Sequence, residues 1–343
     1  MRDTLTGSLL TMPPSPEPLV RVAAGAQLGD EARAEVRSLL DEVQRADGFP
    51  GISDQAFLGI SDQASLGIDG GAAGETISLL ARAPGTDALA GYGALTRREG
   101  LWHLETVVRP DLRDTPSDAH GALVDAGLGQ VAARGGGAVR VWLRTDHEHG
   151  ADRLAARGLH PIRELLQLRA PLPPAALQDA ASPPVPVRPF RTGRDEQAWL
   201  EVNARAFAGH PEQGSWTLAD LERREREPWF DPGGFLLHEE GTRLAAFCWT
   251  KVHLNPVLGE IYVIGVDPDY QGRGLGRALT RVGLGHLATR GVPTAMLYVE
   301  RSNTPALVLY RSLGFTEHHR EVQFGGEVEP AGQVDTPTTR PIP

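Results

Sequence analysis

The sequence predicts an α/β protein in which one unit, a mixed sheet flanked by helices, occurs twice in tandem. Three observations lead there. A Pro-rich stretch at 172–187 (LPPAALQDAASPPVPV) divides the 343 residues into two segments of similar length. Hydrophobic periodicity gives both segments one order: helix, three strands, helix, strand, helix, strand. A strand–helix–strand unit inside each copy makes part of the sheet parallel.

In the first segment the pattern predicts a helix at 31–46, strands at 77–81, 89–95 and 101–108, and a helix at 119–133. A strand at 138–143, a helix at 149–156 and a strand at 162–168 follow. The second segment opens with a short strand at 187–190. A helix at 195–207 has apolar spacing at Trp199, Val202 and Ala206, and Thr217 is a candidate N-cap for a helix at 217–226. Strands at 235–237, 244–252 and 260–266, a helix at 273–289, a strand at 294–299, a helix at 305–312 and a strand at 318–324 complete it. Short cues recur between the copies, VVRP (107–110) against GVDP (265–268) and RGLH (157–160) against LGFT (313–316), as expected of an internal duplication. The expected boundaries are a disordered tail at 1–18, a first domain at 19–171, the linker, a second domain at 188–328 and a disordered tail at 329–343. A second repeat is local: GISDQAFL (51–58) precedes GISDQASL (59–66), a loop duplication.

A hydrophobic fraction of 41% is enough for real cores. The net charge of −10 argues against a general nucleic-acid binder, which needs a basic face. One cysteine, Cys248, excludes an intrachain disulfide and a Cys-cluster zinc site. The eleven histidines form no H-E-x-x-H pattern, so no metal is expected. With no apolar run of about 18 residues and no signal peptide, a cytoplasmic, monomeric protein without membrane or nucleic-acid partners is expected. Lys251 is the only lysine beside 33 arginines, as GC-rich coding favours. An ammonium is a point charge and a guanidinium a planar fork, so this position is one to watch.

The chemistry concentrates in the second half. Gln271-Gly272-Arg273-Gly274-Leu275-Gly276 lies between a predicted strand and a helix. Its glycines let the backbone approach an anion, and the N–H groups of the helix N-terminus then hold a phosphate. The loop is neither a Walker A sequence nor the Rossmann fingerprint. Downstream, Asn303, Ala306, Tyr310, Gly314 and Phe315 make N-x-x-A-x-x-x-Y-x-x-x-G-F. With Q-x-x-G-x-G, in this order, the chain resembles the GNAT superfamily of acyl-CoA N-acyltransferases. The stretches 206–216, 247–253, 259–276 and 297–315 narrow the resemblance. They are similar to a tandem GNAT branch that acetylates the cysteinyl amine of cysteinyl-glucosaminyl-inositol.

The resemblance implies two tandem GNAT domains, acetyl-CoA as co-substrate and a small thiol pseudo-disaccharide as acceptor. It assigns acetyl-CoA to Ile264, Gly265 and Val266, to Gln271, Gly272, Arg273, Gly274, Leu275, Gly276 and Arg277, and to Asn303, Thr304, Pro305, Ala306, Leu307 and Val308. It makes Glu260 a general base and Tyr310 the acid for the leaving thiolate. It assigns the acceptor to Glu212, Lys251, Glu260, Tyr298 and one of Asp54 and Asp62, which occupy the same place in the two octamers. Alternatives remain open: an aminoglycoside or a protein N-terminus as acceptor, or a non-catalytic acyl-CoA module. Cys248, in the apolar AAFCWT, reads as packing. The first half departs from the pattern. Residues 111–118 (DLRDTPSD) have no glycine, and Leu154 aligns with Tyr310. That half is expected to shape the protein and its acceptor site without transferring acetyl.

Overall fold

The computed structural model describes residues 20–48, 51–52, 76–143 apart from 84, 99, 114, 116 and 117, 150–173, 185–209, 213–254 and 256–332. The first half runs β1 (Arg21–Gly25), α1 (Asp30–Asp47), β2 (Thr76–Arg82), β3 (Leu89–Arg98), β4 (Leu101–Val108), α2 (Ala119–Ala133), β5 (Gly137–Leu143), α3 (Gly150–Ala155) and β6 (His160–Pro171). The second runs β7 (Arg188–Pro189), α4 (Glu196–Ala206), α5 (Leu218–Glu225), β8 (Phe235–Glu240), β9 (Arg243–Leu254), β10 (Val257–Val266), α6 (Leu275–Thr289), β11 (Thr294–Glu300), α7 (Thr304–Ser312) and β12 (Thr316–Val328). Every predicted element is present. The sequence reading missed β1, an edge strand of small residues with little periodicity. Thr217 caps α5 in a full capping box with Asp220. The tail expected from 329 does not begin at once: Ala331 N–H donates to Ala132 O at 2.9 Å.

All twelve described strands form one mixed sheet, in the order β1-β2-β3-β4-β5-β12-β6-β11-β10-β9-β8-β7. The centre of that order differs from two side-by-side sheets. β6, the last strand of the first half, lies between β11 and β12, and β12, the last of the second, lies between β5 and β6. The halves exchange their final strands. Gln167 of β6 stands opposite both Tyr298 of β11 and His319 of β12. Ion pairs cross the joint: Arg163 to Glu300, Arg301 to Glu164 at 2.9 Å and Arg320 to Glu164 at 3.3 Å. Hydrophobic alternation fixes which face of a strand is buried, and two equivalent last strands satisfy either sheet equally well. The exchange is therefore invisible to periodicity.

One face of the sheet carries α1 over Val36, Leu39, Val43, Tyr92 and Val107. At the other end it carries α4 and α5 over an aromatic cluster of Trp199, Phe235, Phe247 and Trp249. Ring pairs such as Trp199–Phe247, edge-to-face at 5.3 Å, add roughly 0.5–1.5 kcal/mol each beyond burial. The opposite face carries α2 and α3 in the first half and α6 and α7 in the second, the latter over Cys248, Ile261, Leu279 and Tyr310. Between α1 and α4, the first face is floored by Gln323, His319, Gln167 and Tyr298.

Candidate active site

Strand β10 builds the site. It pairs with β9 along its length but with parallel β11 only at Gly259↔Ala295 and Glu260↔Met296. Beyond Glu260 the two strands part, and the β11 side of β10 is left without a strand neighbour as far as Val266. An open strand edge offers backbone donors and acceptors to an extended ligand. A bulge between Ile261 and Val263 makes Tyr262 the extra residue and bends the strand just past Glu260. In the first half β4 carries no bulge, and β4 and β5 stay paired over four positions, from Trp102↔Val139 to Glu105↔Trp142.

The glycine loop closes the end of this opening. Gly272 and Gly274 take φ of +76° and +80°, the left-handed region open to glycine. Gly274 is the N-cap of α6 and supplies no side-chain hydrogen bond, so the first turn of the helix keeps free N–H groups. Gly276 lies within α6 at ordinary helical φ, and a Cβ there would meet nothing within 4 Å. Nothing in the folded chain itself demands a glycine at 276. Gln271 Nε2 donates to Val266 O at 3.2 Å and ties the loop to the strand end. Arg273 stacks on Tyr270 with 5.0 Å to the ring centroid, and Arg277 donates to Ser312 Oγ at 2.6 Å. Ile264 and Val266 pack at the rim of the apolar cluster under α6. A Cβ on Gly265 would lie 2.7 Å from the Phe247 ring, so that glycine also serves packing.

Asn303 caps α7, its Oδ1 accepting from Ala306 N at 3.2 Å. Thr304 and Pro305 form the first turn, Leu307 is buried, and Val308 is 63% exposed. Tyr310 packs edge-to-face on Phe315 at 5.9 Å in the cluster with Cys248. Burial first, and the neighbouring Cys248 second, push its phenol well above the ordinary value, so it holds its proton at neutral pH.

Glu260 is buried on the other face. Register puts Lys251 directly opposite it on β9 and Met296 opposite on β11, with Tyr298 two residues further along the same face. Lys251 Nζ lies 4.5 Å from the centroid of Trp229 and 5.3 Å from that of Tyr262. Tyr298 Oη accepts from Gln167 Nε2 at 2.8 Å, and Arg169 Nε donates to Gln167 Oε1 at 2.8 Å. The strand exchange thus brings residues of the first half beside Tyr298. Of the expected acceptor residues, Lys251, Glu260 and Tyr298 come together; Asp54, Asp62 and Glu212 lie outside the described residues.

Sequence reasoning passed over His253, although FCWTKVH was singled out. Its Nε2 sits 2.8 Å from Glu260 Oε2. The hairpin that makes 253 and 260 diagonal neighbours shows only in the strand register.

In the first half a carboxylate occupies the matching helix end. Asp118 is the N-cap of α2 and accepts from Gly121 N, while Arg113 is held by Asp47 at 2.6 Å. Leu154 is fully buried where Tyr310 stands in the other copy. A separate cavity of about 670 Å³ between α4 and α5, lined by Glu196, Glu222 and Glu225 among others, holds none of the site residues. Glu225 there is pushed up to about 7, by burial first and then by Glu196 and Glu222. Cys248 is fully buried, and its thiol is pushed up to about 12. Among the described residues no group of three or more His, Cys, Asp or Glu converges on a metal position, and no helix is long and apolar enough to cross a membrane.

Residues 197–315 match the family model described as Acetyltransferase (GNAT) family. The fold is similar to a tandem GNAT protein from the clavulanic acid biosynthesis pathway, at TM-score 0.68 and 16% identity over 91% of this chain and all of that one. It is also similar to a GCN5-related N-acetyltransferase from Sphaerobacter thermophilus, at TM-score 0.66 and 25% identity, covering 91% of this chain and 98% of that one. Mycothiol acetyltransferase of Thermomonospora curvata is 45% identical over 87% of this chain and 94% of its own length. That of Catenulispora acidiphila is 44% identical over 85% and 94%. At that identity over nearly the whole of these relatives, the chain belongs to the mycothiol acetyltransferase family of GNAT proteins.

Proposed function

We propose that this enzyme transfers acetyl from acetyl-CoA to the cysteinyl amine of cysteinyl-glucosaminyl-inositol, forming mycothiol. The observation that carries the reading is the opening between β10 and β11, with free helix N–H groups at one end and Glu260 and Tyr310 on opposite faces of the sheet. The pyrophosphate of acetyl-CoA rests on the N-terminus of α6, and its pantetheine arm runs along the open edge of β10. The acceptor lies on the face of Glu260, against Lys251, Tyr298 and, from 51–66, Asp54 or Asp62, with Glu212 completing the set.

Glu260 takes a proton from the ammonium of the acceptor, directly or through water. The free amine attacks the thioester carbonyl, and backbone N–H near Val266 stabilises the oxyanion. The tetrahedral intermediate gives up the second proton of its nitrogen to water and expels the thiolate, which takes its proton from Tyr310. Domains at 19–171 and 188–328 divide the labour: the first shapes the acceptor site and supports Tyr298, and the second binds acetyl-CoA and carries out the transfer.

The test is a competition. The protein is given acetyl-CoA with cysteinyl-glucosaminyl-inositol, an N-terminal peptide or an aminoglycoside. Loss of the thioester absorbance is followed, because the acceptor's own thiol would react with a thiol reagent. The pseudo-disaccharide is expected to turn over fastest. Faster turnover of either competitor rejects it as the preferred acceptor, and no turnover of any amine favours a non-catalytic acyl-CoA module.

A further inference from the structure

A catalytic base must be ionised before it can accept a proton, and one of its oxygens must face the acid it deprotonates. Glu260 is buried, at 9% side-chain exposure, and His253 beside it is at 18%. The two belong to neighbouring strands of one hairpin, where Leu258 stands opposite His253 and Lys251 opposite Glu260. An ionised carboxylate only accepts hydrogen bonds. With Nε2 at 2.8 Å from Oε2, the imidazole is therefore the donor, through Nε2–H.

We propose that His253 is a positioning residue for the general base: its Nε2–H holds Glu260 Oε2 and leaves Oε1 as the oxygen that takes the proton from the acceptor amine. This rests on Glu260 as the base. Among the described residues, the other charged or titratable groups that register places on this face are Lys251 on β9, Tyr262 on β10, Tyr298 and Glu300 on β11, Arg163 and Arg169 on β6, and His319 and Glu321 on β12. Among the described residues, α4 and α5 contribute Trp199, Val202 and Leu221 to the neighbouring aromatic cluster, none of which titrates. Lys251 meets the faces of Trp229 and Tyr262 and Tyr298 meets Gln167, whereas His253 is the side chain in hydrogen-bond contact with the Glu260 carboxylate.

Removing the donor does two things. It frees the carboxylate to rotate, and misplacement of a reacting group by about 1 Å lowers the rate by up to 10²-fold. It also withdraws a hydrogen bond made to the ionised form, which moves the acid limb of the kcat/KM profile to higher pH.

The experiment compares His253→Ala, His253→Gln and Glu260→Gln in the full chain. Melting temperature and acetyl-CoA affinity by calorimetry are measured alongside kcat and kcat/KM against pH. His253→Ala is expected to bind acetyl-CoA like the wild type, lose roughly 10- to 10²-fold in kcat and move its acid limb upward. His253→Gln, whose amide N–H reaches toward Oε2, is expected to restore most of both. Wild-type kcat and profile in His253→Ala overturn the proposal. So does a loss of kcat with an unmoved acid limb and no rescue by glutamine, since that marks a packing role. Full activity in Glu260→Gln rejects Glu260 as the base, which is a separate result.

Discussion

Asp118 Oδ1 accepts the backbone N–H of Gly121 at 3.1 Å, so the N-terminus of α2 is capped by the chain's own carboxylate where its counterpart, α6, has none. A bound pyrophosphate there would have to displace that carboxylate and face its charge. Calorimetry should give one acetyl-CoA site per chain, and Gly274→Asp should abolish it. Two sites of comparable affinity would show that the first half still binds the co-substrate. Asp118→Ala should leave kcat unchanged and lower stability by about 1 kcal/mol in urea melts, the usual worth of such a cap.

Two glycines of the loop should separate folding from binding. Gly274 has φ +80°, so Gly274→Ala places a Cβ in the left-handed region and should cost roughly 1 kcal/mol of stability. Gly276 is helical with open space around it, so Gly276→Ala should keep or raise stability, by up to about 1 kcal/mol. It should nevertheless weaken acetyl-CoA binding. Thermal melts without ligand and calorimetry with it check the pair; a Gly276→Ala protein with native affinity would remove the close approach at 276.

Glu260→Gln and Tyr310→Phe should fail differently with pH. Without the base, kcat falls at low and neutral pH and partly recovers at high pH, where the free amine is present. Without the phenol, kcat falls with no such recovery. Each loss is expected within about 10²–10⁴-fold. Acetyl-CoA affinity should change little in either. Near-native kcat in both across pH would assign the chemistry elsewhere.

Glu225 gives a pH effect on stability with a defined sign. Its folded value of about 7 lies above the 4.5 of an ordinary glutamate, so the folded chain holds this proton more tightly than the unfolded one. Its contribution is fully present below about 4.5 and is lost as pH rises through 7. Glu225→Gln should therefore gain on the wild type between those values and keep a constant advantage above. Denaturant melts at pH 4.5, 6 and 8 measure it; an advantage equal at all three would remove the buried proton.

Cys248 should resist thiol reagents in the native protein, because its thiol, pushed up to about 12, is un-ionised at neutral pH and fully buried. Unfolding should expose one reactive thiol per chain. Cys248→Ala should retain kcat, since an amine attacking a thioester needs no acyl-cysteine. Inactivation by iodoacetamide faster than unfolding would contradict this.

The helix starts were legible where they depend on local sequence. Gly272, Gly274 and Gly276 mark a helix entry whose backbone an anion can approach, and Thr217 marks an N-cap. What escaped depends on pairing. The resemblance implies a bulged strand before the loop, but its position at Tyr262 escaped: it is one residue too many against β9, and a single strand does not display its partner's count. His253 meets Glu260 because a hairpin folds seven positions of chain back on themselves. The acidic character of 111–118 was plain, but that Asp118 caps α2 follows from its geometry. The exchange of β6 and β12 left no trace, since both are alternating strands of similar length.

That exchange has a consequence for biogenesis. β6 touches no strand of its own half; both of its neighbours, β11 and β12, are translated more than a hundred residues later. While the ribosome works through the second half, the first carries one bare edge at β5 and a strand with nothing to dock on. β12, the last of the described strands, is the one that seals the joint. A premature stop or a proteolytic cut ahead of residue 316 would not release a working half. It would leave β5 and β6 as two open templates for aggregation, so β12 decides whether the two halves close into one sheet.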